Sequence, residues 1–312
     1  MIKLFDLHCD TPRFLLDKNE SLISSRGHIS LDKAKAFSPY IQVAAVWSTF
    51  DDPKKAKSVF DQTVNRFNEE CKNAGCDLIK SSEDMLASVS AQEQKKSKAG
   101  FIYCIEDCGF ITNTDILDDV YEKGVRVLIP MWAKTNPLGA AHDAEGRLSE
   151  LGREILSAAA KKGMILDISH ASFRSASEIM DIAERHHSPV IASHSNSRTF
   201  FDHTRNLYTD QVKRLISLGG IIGHSLCPWH LAKNGDADID SVLDNIEHLI
   251  NEAGEDNICF GCDLDGTDLP KGFSDITSLE ELYNKLSKRF SPQIAEKITY
   301  LNALNKFQQF LK

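Results

Sequence analysis

Short runs of apolar residues recur along the chain, and stretches of mixed apolar and charged residues separate them. Eight such runs can be counted, and most are nearly continuous. Near-continuous apolar runs that alternate with helical segments are typical of parallel strands whose outer face is covered. The predicted strands span Leu4 to Asp10, Ile41 to Phe50, Phe101 to Asp107, Val125 to Trp132, Met164 to Ser169, Val190 to Ser195, Ile221 to Ser225 and Ile258 to Asp263.

Segments between these runs carry apolar residues at helical spacing, with charged residues on the remaining face. Gly124, Gly163 and the pair Gly219–Gly220 stand directly before a predicted strand, where the end of a helix needs a positive φ. Residues 11–39 show no clean helix, and residues 134–148 have the composition of a long loop. Helices are predicted over residues 52–74, 148–162, 171–187, 278–290 and 292–311.

Eight strand–helix units favour a closed (β/α)8 TIM-like barrel over an open doubly wound sheet. The first predicted strand is not followed by the Gly-rich GxGxxG turn that a dinucleotide-binding sheet would carry. Barrels of this length are routinely one domain, so the sequence predicts a single domain over residues 1–312.

Charge and composition restrict the partners of the chain. The formal net charge of −9 argues against a nucleic-acid or anionic-membrane surface, since both recruit Lys and Arg. No apolar run reaches the 18 residues of a membrane span, and no signal peptide is recognisable, so we expect a cytoplasmic protein that acts on a small molecule. The eight cysteines are then expected to be buried thiols without disulfides, and the pair Cys259 and Cys262 is not expected to form a redox or zinc motif.

The first predicted strand carries polar residues that an apolar core strand does not need. Alternation along a strand predicts that Asp6, His8 and Asp10 project to one face while Leu7 and Cys9 project to the other. A bound cation would compensate the desolvation of these groups, although His8 and Asp10 could also simply hydrogen-bond each other.

Acids and histidines also end several other predicted strands. The carboxyl ends of barrel strands form the active face, so these side chains are expected to meet at one mouth. Each has an ordinary structural explanation when taken alone, but together they predict a metal site. Nitrogen and oxygen ligands suit zinc, and two such ions sharing a carboxylate can hold a bridging hydroxide and polarise a carbonyl. The set is His8, Asp10, Glu106, His170, His194, Asp263 and Asp265.

The chain resembles the renal or membrane dipeptidases, the M19 metallopeptidases, over nearly its whole length. Several motifs occur in the same order as in that family, which makes the resemblance specific. They are Asp6 to Pro12, Ile105-Glu106, Gly124-Val-Arg126, Gly152-Arg153-Glu154, Asp167 to His170, Ser193-His-Ser195, Arg205-Asn206 and Phe260 to Gly266.

This resemblance implies a metal-dependent hydrolase barrel with two Zn²⁺ ions that cleaves dipeptides. It also allows a homodimer. His8 and Asp10 would hold the first zinc, His170 and His194 the second, and Glu106 would bridge both. Asp263 would take a proton from the bridging water and deliver it to the departing amine. Arg205 would bind the terminal carboxylate of the substrate, for which a guanidinium is well suited, although a surface ion pair is its alternative role.

Two segments depart from the family pattern. Many relatives place a substrate-contacting histidine after the fourth strand, and this chain has Trp132 there, in a substrate-binding position. Indole donates one hydrogen bond and cannot become cationic, so stabilisation of an oxyanion would have to come from elsewhere. The segment from Gly223 to His230 also differs, and His224 or His230 either lines the pocket or is an ordinary loop histidine.

Two alternatives to a dipeptidase stay open, and these departures motivate the first of them. The first is a related metal-dependent amidohydrolase that acts on N-acyl amino acids, lactones or phosphoesters. The second is a metal-loaded binding protein without catalysis, which the presence of Asp263 and the whole ligand set disfavours.

Overall fold

Parallel strands form a barrel in the computed structural model, which describes residues 1–311, so that Lys312, the last residue of the predicted domain, lies outside it. The strands are β1 Ile2–Cys9, β2 Phe37–Trp47, β3 Asp77–Leu78, β4 Gly100–Glu106, β5 Val125–Ile129, β6 Ile165–Asp167, β7 Val190–Ile191, β8 Ile222–His224 and β9 Ile258–Phe260. All of their pairings are parallel.

Eight of these strands follow one another around the barrel in the order β7-β6-β5-β4-β2-β1-β9-β8. A parallel bridge between Ala192 and Ile222 joins the two ends of this path, just beyond β7 and at the start of β8. The predicted (β/α)8 TIM-like barrel is therefore confirmed. The short strand β3, which sequence analysis missed, pairs with the beginning of β4 at Gly100 and Phe101.

Helices connect the strands and cover the barrel. They are α1 Thr11–Lys18, α2 Pro53–Ala74, α3 Ser82–Glu93, α4 Thr114–Glu122, α5 Glu150–Lys161, α6 Phe173–His186, α7 Thr209–Ser217, α8 Ile239–Ala253, α9 Ser278–Arg289, α10 Pro292–Glu296 and α11 Asn302–Phe310. A π-helical turn over Lys297–Leu301 separates α10 from α11. None of the helices within residues 1–311 combines the length and the apolar composition that a membrane crossing requires.

Most of the predicted helices match the observed ones, but the expectation for residues 11–39 was wrong. Helix α1 begins at Thr11, with Pro12 in its first turn, where the missing N–H of proline costs nothing. Its eight residues are too few to show a helical repeat in the sequence. The glycines predicted to end helices, Gly124, Gly163 and Gly219, all have positive φ.

Two apolar layers result from the alternation of side chains along the strands. One layer lies between the strands and the surrounding helices and includes Leu4, Tyr40 and Phe101. The other contains alternate strand residues such as Phe5, Ile41, Ile102 and Val127, together with residues of α11. Because Phe307 of α11 packs on Phe5 near the start of β1, with ring centroids 5.0 Å apart, the C-terminal helix closes the N-terminal end of the barrel. The opposite end is left for the site.

Backbone crowding fixes glycine at two positions, Gly223 in β8 and Gly261 just after β9. A Cβ at Gly223 would lie 1.9 Å from the carbonyl oxygen of Ser193, and a Cβ at Gly261 would lie 1.8 Å from the same atom. The segments that follow β7 and β9 therefore approach β8 with no side chain between the backbones. This close approach draws the ends of the last strands together at the mouth of the barrel.

Truncating Phe307 tests the role of the C-terminal helix as a plug. Phe307→Ala removes a fully buried ring from the closed end and should lower the free energy of unfolding by about 3–5 kcal/mol. Phe173→Ala is the control, because Phe173 is 48% exposed and should cost far less. Denaturant unfolding followed by circular dichroism measures both, and equal losses would contradict the assignment.

Candidate metal centre

Six of the predicted site residues gather at the carboxyl ends of the strands, and we call them the mouth cluster. Glu106 is the last residue of β4, and its Oε1 lies 3.1 Å from His170 Nε2, 3.5 Å from His194 Nε2 and 3.7 Å from His8 Nε2. Asp263 Oδ1 lies 3.7 Å from His8 Nε2 on the other side. The cluster consists of His8, Asp10, Glu106, His170, His194 and Asp263.

The imidazole rings of this cluster are packed against one another. His8 and His194 stack with centroids 3.9 Å apart and planes at 27°, and the centroids of His170 and His194 are 4.9 Å apart. The Nε2 atoms of His170 and His194 approach to 2.9 Å. Two groups of three residues each bring their ligand atoms within 4.8 Å of one another, and both groups include His8. One group is His8, Glu106 and His194, and the other is His8, Asp10 and Asp263.

A break in strand alternation brings His8 to the interior. Asp6 pairs with Gln42 and Cys9 with Ala44, so three steps along β1 match two along β2, which is a β-bulge. Leu7 belongs to the apolar layer inside the barrel, which contains Phe5 and Ile41. His8, the next residue, also points into the barrel, where it lies next to Glu106. The prediction that Asp6 shares a face with His8, opposite Leu7, was therefore wrong.

Asp6 instead binds the backbone behind the site. Its Oδ1 accepts hydrogen bonds from the N–H groups of His8 and Cys262, both at 3.0 Å, and so ties β1 to the segment after β9. Asp167 does the same on the far side, since its Oδ1 accepts from Ser169 N–H at 2.8 Å and from Ser193 N–H at 3.2 Å. These two buried carboxylates hold the backbone next to His8, His170 and His194.

Left-handed backbone places several of the strand-end side chains. His170, Asp263 and Asp265 have φ of 67°, 61° and 66°. Asp and His are among the few residues that tolerate this region, and such conformations concentrate at functional sites. The turn after β9 is fixed by hydrogen bonds from Asp263 N to His8 O at 3.1 Å and from Asp10 N to Leu264 O at 2.8 Å. Asp10 and Asp263 are thus held side by side.

Burial sets the protonation of the cluster. It lowers the pKa of His8 to about 3, and it holds the pKa values of His170 and His194 well below the usual range, with the positive charge of Arg205 adding to the effect on all three. Neutral imidazole is the form that offers a lone pair to a cation. Burial, and then repulsion from Asp10 and Asp263, raises the pKa of Glu106.

The residues fit a group of divalent cations. Unsatisfied buried polar atoms are costly, at about 1–3 kcal/mol each, and this cluster has several that find no hydrogen-bond partner within residues 1–311. They are both ring nitrogens of His8, Asp10 Oδ1, Glu106 Oε1 and His170 Nδ1. Imidazole nitrogens and carboxylate oxygens in this arrangement are ligands that zinc accepts, and bound cations would satisfy these atoms.

Arg205 reaches the site from the loop between β7 and α7. It is 5% exposed, and its Nη2 donates to the carbonyl of His194 at 3.2 Å. Together with His142, His170 and Tyr208 it lines a cavity of about 330 Å³, the Arg205 cavity. A guanidinium buried in this way offers its remaining N–H groups to an anionic group in the cavity.

Trp132 follows β5 and stands on another side of the cluster. Its ring centroid is 6.5 Å from that of His170 and 5.0 Å from that of Trp47. Asn136 holds this segment by donating to Pro130 O at 2.8 Å and to Asp107 Oδ1 at 2.7 Å. Trp132 lines a second cavity of about 200 Å³ that also reaches Asp10.

His142, in the predicted long loop, is a residue of the site that the sequence does not signal. Its backbone N–H donates to His170 O at 2.8 Å, and its ring centroid is 6.0 Å from that of His170. Nδ1 is hydrogen-bonded to Thr204 Oγ1 at 2.7 Å, which fixes the ring in the Arg205 cavity. No spacing in the sequence signals this position, because the loop folds back onto the segment after β6, where Ala141 bridges to Ala171.

The remaining candidates lie away from the cluster's centre. Asp265 accepts from Thr11 Oγ1 at 2.6 Å and from His28 N–H, and it anchors the segment after α1. His224 is fully buried in β8 and lines neither of the two cavities, which are formed by described residues. His230 packs its ring against His203, with centroids 5.0 Å apart.

The predicted state of the cysteines is confirmed among the described residues. All eight are free thiols, and all except Cys76 are buried. None of them belongs to the two sets of ligand atoms at the mouth.

Gly266 offers a way to disturb the cluster without touching a ligand. A Cβ there would lie 2.2 Å from Asp10 Oδ2 and 2.4 Å from Asp263 Oδ1, so Gly266→Ala should displace both carboxylates. We expect metal affinity to fall about 10- to 100-fold, as measured by competition with a chelating dye. Gly272→Ala is the control, since its Cβ would meet no atom within 4 Å and only its positive φ of 89° opposes alanine. Equal metal affinity in the two variants would contradict the geometry.

Comparison with known proteins identifies the family. The model of the family described as membrane dipeptidase, peptidase family M19, matches residues 1–310. An uncharacterized dipeptidase of Schizosaccharomyces pombe is 30% identical over 210 residues, which cover 64% of this chain and 50% of that protein. Dipeptidase tcpJ of Claviceps purpurea is 24% identical over 285 residues, covering 85% of this chain and 66% of that protein. The chain thus spans half of the length of the first of these relatives and about two thirds of the second.

Solved structures agree in fold. A metallopeptidase from Rhodobacter sphaeroides, liganded with a phosphinate mimic of the dipeptide L-Ala-D-Ala, superposes with a TM-score of 0.89 at 20% identity, over 100% of this chain and 99% of that one. The crystal structure of dipeptidase AC, a metallopeptidase of family M19, gives a TM-score of 0.88 at 22% identity, over 99% of both chains. With the family model matched over residues 1–310 and the same barrel in these structures, the chain belongs to peptidase family M19, the membrane dipeptidase family.

Proposed function

We propose that the protein is a metallo-dipeptidase that holds two zinc ions in the mouth cluster and hydrolyses the peptide bond of free dipeptides. The observation that carries the proposal is the convergence of three histidine nitrogens on one oxygen of Glu106, at 3.1 to 3.7 Å, beside a buried arginine. Membership of family M19 supports the same reaction.

The ligands divide between two groups in this proposal. His8 and Asp10 would hold one ion, His170 and His194 the other, and Glu106, whose Oε1 faces three of the rings, would contact both. When bound, the ions would lower the pKa of water so that a nucleophile is available at neutral pH, and they would polarise the scissile carbonyl. The protein's own part is to keep the imidazoles neutral and the carboxylates in place.

Arg205 selects the end of the substrate. Its side chain is buried against His194, so a carboxylate that enters the Arg205 cavity exchanges water for a charge-assisted pair with a fixed guanidinium. Because that group lies next to the mouth cluster, the peptide bond one residue away from the carboxylate is the bond presented for cleavage. A longer peptide bound in the same way would present its last peptide bond, so Arg205 sets which bond is cleaved and does not by itself set the length of the peptide.

Asp263 is placed to handle a proton. Burial raises the pKa of its carboxyl to about 7, although the charge of Arg205 acts against this. A group with a pKa near the working pH both accepts and returns a proton, as a general base and then a general acid must. We propose that Asp263 Oδ1 takes a proton from the attacking water and gives it to the departing amine.

Removing the metal should abolish the activity reversibly. We expect about two zinc ions per chain by elemental analysis, loss of dipeptide hydrolysis after chelation, and recovery on addition of zinc. His170→Ala and His194→Ala should each lower kcat/KM at least about 100-fold, since even groups behind the ligands contribute 10- to 100-fold in such sites. His186→Ala, at the end of α6, should leave it unchanged. Activity that is indifferent to chelation would refute the proposal.

A panel of substrates separates the dipeptidase from the related amidohydrolase. N-acyl amino acids, lactones and phosphoesters are assayed beside dipeptides with the zinc-loaded protein. The aromatic wall formed by Trp47 and Trp132 motivates this second candidate, because the acyl group of an N-acyl amino acid could pack on it. Dipeptides as the poorest substrates would decide for the amidohydrolase.

Arg205 predicts a requirement for a free carboxylate. Arg205→Lys and Arg205→Ala should raise KM and lower kcat/KM for a dipeptide about 10- to 100-fold, the effect expected for one buried charge-assisted pair. The same variants should change little for the corresponding dipeptide amide, which lacks the carboxylate and should be a poor substrate of the wild type. Arg214→Ala is the control, because Arg214 is paired with Asp181 and Glu184 on the surface. An equal loss for dipeptide and amide would assign Arg205 a structural role.

A further inference from the structure

The mouth cluster opens into two cavities that share no lining residue. The Arg205 cavity meets the cluster at His170, and the second cavity meets it at Asp10. We call the second one the Trp cleft; it is lined by Asp10, Arg13, Phe14, Asp17, Lys18, Trp47, Trp132, Asp265 and Gly266. The proposed dipeptidase function assigns a role to the Arg205 cavity and none so far to the Trp cleft.

The charged groups that line the Trp cleft are largely engaged with other groups of the protein. Arg13 donates through Nε to Asp17 Oδ2 at 2.8 Å and through Nη1 to the carbonyl of Trp47 at 3.2 Å. Asp265 accepts hydrogen bonds from Thr11 and His28. These partners leave the aromatic surfaces as the part of the cleft that a ligand can cover without displacing an ion pair.

The aromatic surfaces are themselves held in fixed positions. Trp47 and Trp132 meet edge to face at 67°, with centroids 5.0 Å apart, and the guanidinium of Arg13 covers Trp47 at 5.0 Å from its ring centroid. Trp132 also neighbours the His170 ring, with centroids 6.5 Å apart. A wall of this kind loses little side-chain entropy on binding and offers a large apolar contact.

We infer that the Trp cleft receives the amino-terminal residue of the substrate and selects an apolar or aromatic side chain at that position. This inference rests on the proposed function, since it takes the carboxyl-terminal residue to lie in the Arg205 cavity. With that end fixed by Arg205 and the peptide bond over the mouth cluster, the remaining residue of a dipeptide must leave toward Asp10. Trp132 and Trp47 then contact its side chain, and Trp132 determines specificity.

The inference is tested with two matched series of L-dipeptides, X-Ala and Ala-X, in which X is Gly, Ala, Leu, Phe or Lys. For the zinc-loaded wild type we expect kcat/KM to be at least about 10-fold higher for Leu-Ala and Phe-Ala than for Gly-Ala. Trp132→Ala and Trp47→Ala should each reduce that ratio about 10-fold while the ratios within the Ala-X series change less than about twofold. Trp132→Phe should retain most of the preference.

Ratios between substrates are measured on one preparation, so a partly folded variant does not alter them. Trp229→Ala is the matched control, because Trp229 is 52% exposed and lines neither cavity. Calorimetric binding of phosphinate mimics of Gly-Ala and Leu-Ala gives the same comparison without turnover, with the Leu-Ala mimic expected to bind more tightly and to lose that advantage in Trp132→Ala.

Each outcome bears on one proposal or on both. Unchanged X-Ala ratios in Trp132→Ala and Trp47→Ala, a change confined to the Ala-X series, or a preference of the wild type for Lys-Ala would overturn the assignment of the cleft while leaving a dipeptidase. Failure of the zinc-loaded wild type to cleave any dipeptide would overturn the proposed function and the cleft assignment together.

Discussion

The burial of Glu106 beside Asp10 and Asp263 is the constraint on which the site depends. Three carboxyl groups at the mouth of one barrel repel each other, and burial and this repulsion together raise the pKa of Glu106 and of Asp10. The same burial lowers the pKa of the neighbouring histidines, so these rings stay neutral and do not offset the negative charge. An environment that penalises charge on both kinds of group is one that divalent cations relieve, because they pair with the carboxylates and accept the imidazole lone pairs.

The fold holds this arrangement through the backbone behind the ligands. Asp6 and Asp167 each accept two N–H groups from two different chain segments, so a shift of one segment would leave a buried carboxylate or amide without its partner. The bulge in β1 adds the residue that turns His8 inward. Gly223 and Gly261 let the last strands approach Ser193 closely. Position at the mouth is thus set by groups that would never contact a metal or a substrate.

Much of the barrel could be predicted from the sequence because strands and helices differ in the spacing of their apolar residues. The eight main strands, the glycines that end helices and the gathering of strand-end acids and histidines all follow from such local rules. The bulge that separates Asp6 from His8 could not be predicted, since it depends on the register with β2 rather than on β1 alone. The short helix α1 carries too few residues for a repeat, and β3 is two residues long. The place of His142 depends on how a long loop folds back on the segment after β6, which no local pattern encodes.

In the proposed dipeptidase, catalysis and substrate selection would depend on different parts of the chain. The mouth cluster comes from strand ends that the barrel holds rigidly, and the polarisation of a carbonyl by cations does not distinguish a peptide from another acyl bond. Selection must therefore come from the two cavities, and these are built largely from loops and helix starts: the segments after β5 and before α7 for one, and α1 with the ends of β2 and β5 for the other. A guanidinium in one cavity and indoles in the other would bind opposite ends of a short substrate. Because Trp132 is next to His170 as well as to Trp47, a change at this one position alters the side-chain cavity and the edge of the metal centre together.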